Sequence, residues 1–250
     1  MGTDKCHWSS CPAKPKEKLR FGADRVKWEK TLTFVGTILD LTGTDCAAVE
    51  HRIVQATKVF HKWKPILLCK AAPLAQRLDL TAKTVFQAAL WLSECWYPTQ
   101  RQQKRLDSWA ARIFGQVAGV RFSTDDDVST FWRRLYRTGH EMLRLHGGSL
   151  NSRRKRRLHS FAGHLARVQS GVVHDALRTR SLAWWRYFQQ RRLTVHPHRF
   201  HVWRWESQLT AFYGESAGLF VDENTGWMEC AQDREKWRSS EKAFAGASSD

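Results

Sequence analysis

Nowhere in the chain do about 18 apolar residues follow one another, so no segment reads as a bilayer-spanning helix. The opening stretch MGTDKCHWSSCPAKPKEKLRFG holds no apolar signal core, which leaves secretion unsupported and points to an intracellular protein, nuclear or cytoplasmic. Cys6 stands where a myristoylation start needs Ser or Thr. None of Cys6, Cys11, Cys46, Cys69, Cys95 and Cys230 belongs to a C-x-x-C pair, so free thiols in a reducing compartment are expected. Cys6, His7 and Cys11 are three possible metal ligands, but the second half of a zinc site is missing nearby. There is no Walker-type phosphate loop, no G-x-S-x-G and no H-E-x-x-H. The adjacent aspartates Asp125, Asp126 and Asp127 lie between helical patterns rather than on a β-hairpin. They read as helix-capping residues, not as the ion-holding pair of a polymerase.

Acidic side chains are also scarce: 24 Asp and Glu stand against 41 Lys and Arg, a formal net charge of +17. An excess of this size suits a polyanion, and nucleic acid is the leading class. Thirteen Trp and thirteen Phe supply a core, a stacking surface, or both.

The pattern along the chain is mainly helical. Residues 1–26 mix Pro, Lys, Ser and Gly without a period and read as a flexible leader. TLTFVGTILD (31–40) reads as a strand or a bent β-pair. A helix follows through Val49, Ile53, Ala56, Phe60 and Trp63, with Pro65 as its end or a kink. A second is expected through Leu74, Leu78, Val85, Ala89, Leu92 and Trp96, and a third through Leu106, Trp109, Ile113 and Val117. A fourth follows through Trp132, Leu135 and Met142, closed by Gly147-Gly148. Beyond this come a helix through Leu158, Phe161, Leu165 and Val168 and another over about 172–193. The last spans 227–244, with Trp227, Ala231, Arg234, Trp237 and Phe244 on one side.

Arg153, Arg154, Lys155, Arg156 and Arg157 are five consecutive cations, read as opening a helix, where they would oppose its dipole unless a phosphate were bound. A solvated charge run and a nuclear localisation signal are the other readings. Trp184-Trp185-Arg186-Tyr187-Phe188 interleaves rings with a cation; on periodicity Trp184 and Phe188 are core and Trp185 is the exposed candidate.

Taken in order, several motifs resemble the region downstream of the palm in non-LTR (LINE-type) retrotransposon reverse transcriptases. Phe34-Val35-Gly36-Thr37-Ile38 and then Gly43 resemble the family's YLG-x-I…G strand. Val49-Glu50-His51-Arg52-Ile53, with Ala56 and Phe60, resembles E-I-x-x-R-I-x-x-A-x-x-x-F. Glu94 and Trp96 match LYGCETW, although Leu92-Ser93 stands where the family has Tyr-Gly. Leu106-Asp107 and Arg112-Ile113-Phe114-Gly115 resemble LD…R-x-I-x-G, and Arg156-Arg157-Leu158, Gly163-His164 and Arg167 resemble RRLRWLGHVLR. Trp203-Arg204-Trp205-Glu206 resembles RWED; Trp227, Ala231-Gln232-Asp233-Arg234 and Trp237-Arg238 resemble W…AQDRxxWR.

The resemblance covers about residues 28–245 and implies a mainly α architecture. Beyond the leader (1–26), which it does not match, it divides the chain into a β remnant of the palm and primer-grip region (27–44), a helical thumb-like domain (45–148) and a basic helical connector and tail (149–250). It also implies a nucleic-acid-binding fragment without the polymerase site, expected not to be catalytic alone. The palm, the fingers and the Mg2+ they would hold are expected elsewhere, so this chain needs no cofactor. RNA, DNA or their hybrid is the expected partner, with possible association with a palm and fingers portion; no membrane is expected. Arg153, Arg154, Lys155, Arg156, Arg157, His164, Arg167, Trp185 and Arg186 are the expected contacts. A subunit completing a split reverse transcriptase in trans and a protein-interaction or pseudogene remnant are the alternatives.

Overall fold

The fold is mainly helical. The computed structural model describes residues 7–8, 20–21, 24–29, 31–34, 36–40, 46–96, 98–124, 126–168, 170–171, 204–213 and 227–247. The chain forms two units: Met1–Leu92 with Tyr97–Asn151, and Ser93–Trp96 with Ser152–Asp250.

In the first unit, short strands occur in the stretch read as a leader. β1 (His7–Trp8) runs parallel to β4 (Lys27–Trp28), and β2 (Arg20–Phe21) pairs antiparallel with β3 (Asp24–Arg25). β5 (Thr31–Phe34) and β6 (Thr37–Asp40) form an antiparallel hairpin in which Phe34 faces Thr37 across a two-residue turn. Gly36 occupies that turn at φ 74°, a conformation that glycine adopts without a Cβ penalty. Its carbonyl accepts a hydrogen bond from Nη2 of the buried Arg52, which ties the hairpin to α1.

α1 (Cys46–Leu67) buries Val49, Ile53, Ala56 and Phe60 as its period predicts. Pro65 does not end it: the proline sits inside the final turn and the helix continues to Leu67. α2 (Leu74–Ala89) stops earlier than the sequence suggests. Leu92 takes the left-handed conformation, φ 56°, and a 3-10 turn (Ser93–Cys95) follows. Leu92 and Trp96 are therefore not on the α2 face.

α3 (Gln100–Val117) buries all four of its expected apolar residues. Thr99 accepts from the Gln102 amide at 3.4 Å while the Gln102 side chain accepts from the Thr99 amide at 2.6 Å, a capping box. Thr99→Ala is expected to lower stability by about 1 kcal/mol, read as a shifted urea midpoint with an unchanged m-value.

Buried Arg77 gathers three carbonyls left over at loop and helix ends, those of Ala72 (3.1 Å), Leu67 (3.2 Å) and Val117 (2.6 Å). α4 (Val128–Leu145) opens on Asp127, which accepts from the Thr130 amide at 2.6 Å. That bond, with help from the Ser129 hydroxyl, holds the Asp127 carboxyl below the usual range. α4 packs on α3 through Leu135, Gly139 and Leu143.

In the second unit lie most of α5 (Leu150–Ala166), α6 (Arg204–Tyr213), α7 (Trp227–Cys230) and α8 (Arg234–Gly246). Its core is Leu158, Ala162, Ala166, Leu209, Trp227, Met228, Ala231, Trp237 and Phe244. The expected single helix over 227–244 is broken in two by Asp233. That side chain caps α8 by accepting from the amides of Glu235 (2.9 Å) and Lys236 (3.1 Å), and Arg234 is exposed rather than on the apolar side. Gly163 is glycine for space: a Cβ there would lie 2.2 Å from Trp237 Nε1.

Candidate nucleic-acid interface

The five-cation run does not form one cationic face. α5 begins at Leu150, so Arg153–Arg157 lie beyond its first turn, where the dipole conflict fades. Arg154 stands four residues before Leu158, which stands four before Ala162, itself four before Ala166. That spacing sets all four on one side of the helix, and all are buried.

Arg154 donates to the Trp96 carbonyl at 3.3 Å and to Gln208 Oε1 at 2.7 Å. Lys155 is also buried and donates to the Ala247 carbonyl. Burial and then the neighbouring Arg154 charge lower its pKa. Arg154 and Lys155 therefore leave the set of phosphate contacts: a cation at almost no exposure, holding internal acceptors, is not available to a polyanion.

Arg153, Arg156 and Arg157 are partly exposed on the other sides of α5, and His164 is exposed. Arg167 donates to the Ala231 carbonyl. Burial, and then Arg234 and Arg238, lower its pKa, so these three cations share one neighbourhood. Trp185 and Arg186 lie outside the described residues.

A second basic face, which the sequence reading passed over, lies on α4. This helix carries four arginines and one carboxylate, Glu141. Arg133, Arg137, His140 and Arg144 follow spacings of four, three and four, so they form a row along one side. All four are exposed, and no carboxylate among the described residues pairs with the three arginines. By contrast Arg134, off this row, is held by Asp126 and by the Arg121 carbonyl at 2.7 Å.

Beside the row runs a file of rings. Phe122 and Phe131 have centroids 5.5 Å apart, Phe131 and Trp132 5.3 Å, and Trp132 stacks on Tyr136 at 5.9 Å. Phe122 is 57% exposed and Trp132 39%, so Trp132 is not the core residue its helical position suggested. The signal was available: basic residues at 133, 137 and 144 repeat with the helical period, and aromatics at 132 and 136 precede two of them.

Next to Arg121 a pocket of about 290 Å3 opens between the ends of α1 and α3. Lys64, Lys70, Arg77 and Arg121 line it, and among the described residues no carboxylate does.

Comparison with family models, with curated proteins and with solved structures returns no match for this chain. Among the described residues, no group of three or more His, Cys, Asp or Glu side chains is placed to hold a metal ion. No helix among them is long and apolar enough to cross a membrane.

Proposed function

We propose that this chain is a nucleic-acid-binding thumb and connector of the non-LTR reverse-transcriptase type, working beside a palm that it does not itself contain. The observation that carries the binding half of this reading is the exposed row of Arg133, Arg137, His140 and Arg144 on α4, with no carboxylate among the described residues pairing its arginines. Such a row is unfavourable in isolation through self-repulsion, and a phosphate backbone relieves it.

The family half of the reading rests on the ordered motifs. Two of them, Phe34-Val35-Gly36-Thr37-Ile38 and Val49-Glu50-His51-Arg52-Ile53, meet through the bond from Arg52 to Gly36. Among the described residues, several other motif positions have internal roles: Gln232 donates to the Ala166 carbonyl at 2.9 Å, and Trp227 and Trp237 are buried. The reading gives this chain no cofactor, and the divalent ions of polymerisation belong with the palm.

The test is fluorescence anisotropy of labelled RNA–DNA primer-template, RNA and DNA with the purified chain at several salt concentrations. Micromolar or tighter binding whose affinity falls steeply with salt is expected, the logarithmic slope being about −0.9 per phosphate contacted on duplex DNA. Absence of binding at low salt overturns the reading.

A further inference from the structure

We infer that the α4 face is a platform for unpaired bases, so that the first unit holds a single strand rather than a duplex. This rests on the nucleic-acid reading above and adds to it a ligand class and a place.

A phosphate backbone of either kind is served by the arginine row alone. What the row does not explain is the file of rings beside it. Phe122 and Trp132 expose apolar faces to water at 57% and 39%. A duplex keeps its bases stacked inward and would leave those faces wet. An unpaired base can lie on them, and every base has a face to offer.

The two features are interleaved in the way such a platform requires. Arg121 precedes Phe122, Arg133 follows Trp132, and Arg137 follows Tyr136. On α4 neighbouring positions differ by about 100° around the axis, so Arg133 and Arg137 point to sides adjoining those of Trp132 and Tyr136, while Arg121 and Phe122 stand in the loop before the helix. Backbone charge and base face are then met together by each pair. The three contacts Phe122–Phe131, Phe131–Trp132 and Trp132–Tyr136 continue the file from the loop before α4 into its third turn.

A protein partner, or a second copy of this chain, is the competing occupant of exposed rings. Rings and arginines are both common at protein interfaces, so composition does not choose between these occupants, but like charges disfavour self-association. Among the described residues no carboxylate pairs with the arginines of the row that borders the rings, and three uncompensated charges favour a polyanion over a protein of mixed charge.

The experiment compares oligothymidylate with a duplex of equal length, using the full chain and two sets of variants. Phe122→Ala and Trp132→Ala remove rings. The triple variant Arg133→Gln, Arg137→Gln, Arg144→Gln changes only exposed side chains and is expected to fold as the parent does, checked by circular dichroism.

The parent should prefer the single strand. Each ring variant should lose roughly five- to 150-fold in single-strand affinity, with duplex affinity unchanged. The triple variant should flatten the single-strand salt slope by about two. Photocrosslinking with iodouracil-substituted oligonucleotide should label peptides within residues 121–136.

A duplex preference, ring variants that hold the single strand like the parent, or labelling confined to the second unit overturns the inference while the wider reading stands. So does a dimer that Trp132→Ala dissociates with no change in single-strand affinity. A parent that binds no nucleic acid at all removes the wider reading and this inference with it.

Discussion

Gly139→Ala is expected to lower the melting temperature by roughly 5–15 °C, a large effect for one added methyl group. The reason is where the methyl would go. A Cβ at Gly139 would lie 1.9 Å from the Ala111 carbonyl oxygen and 2.5 Å from its carbon, both main-chain atoms of α3. The contact is reciprocal in kind, since a Cβ at Gly115 of α3 would lie 2.5 Å from the Leu135 carbonyl oxygen of α4.

No rotamer change relieves a clash with backbone. The helices must move apart, which opens space around Leu135 and Leu143, both buried. Alanine's better helix propensity returns about 1 kcal/mol, leaving a net loss of roughly 2–4 kcal/mol. Gly246→Ala is the control: its Cβ would meet nothing within 4 Å, and no loss of stability is expected. A Gly139→Ala protein melting like the parent would show that the α3–α4 crossing is wider than described.

Acid is expected to loosen the second unit, and His159 is the group responsible. The ring is 2% exposed and lies 3.9 Å from Trp237, 11° from parallel. Its Nε2 is 2.7 Å from the Tyr213 hydroxyl, which is 2.6 Å from Ser240 Oγ. The Trp237 indole donates to the His159 carbonyl at 3.0 Å. Burial, and then the Arg167 charge, pull the imidazole from 6.5 down to about 4.

Above pH 6.5 both folded and unfolded chains hold this histidine neutral, and it confers no pH dependence. Below that value the unfolded chain takes up a proton that the folded chain refuses. Stability then falls by about 1.4 kcal/mol per pH unit until the folded value is reached, up to roughly 3 kcal/mol in all. Urea melts between pH 7 and 4 should show this slope, and His159→Gln should flatten it; an equal slope in that variant would acquit His159.

Asp107 in the first unit works with the opposite sign. Burial raises its carboxyl despite the hydrogen bond from the Asn151 amide, so its contribution is fullest below the ordinary aspartate value and is lost as pH rises.

Helix existence was legible because apolar periodicity and packing agree over most of unit one: Leu106, Trp109, Ile113 and Val117 are predicted and found buried. Asp127 was legible as a cap for a similar reason, since a short acceptor before a helical run satisfies free amides. Helix phase was less legible wherever small or charged residues fill the buried side. Glycines 115 and 139 carry no hydrophobic signal, yet they set how α4 rests on α3 and leave Trp132 half in water.

On α5 the same deficit misled the reading of the basic run. Phe161 and Leu165, the bulkier residues, are only partly buried, while Ala162 and Ala166 are core, and that phase takes Arg154 and Lys155 inward. The break at Leu92 was hidden because a left-handed leucine has no sequence signature. The basic row on α4 is written in the sequence as cations recurring with the helical period, not as a consecutive run, and so is less conspicuous than Arg153–Arg157.

The short turn Ser93–Trp96 lies in sequence between α2 and α3 but belongs to the second unit, where the Trp96 carbonyl receives the Arg154 guanidinium. The units are thus interleaved along the chain rather than set end to end. No single scission of the polypeptide yields both of them whole: a fragment starting at residue 152 carries a buried guanidinium stripped of one acceptor. An exchange of the second unit at one recombination point would meet the same obstacle, since it would leave Ser93–Trp96 behind.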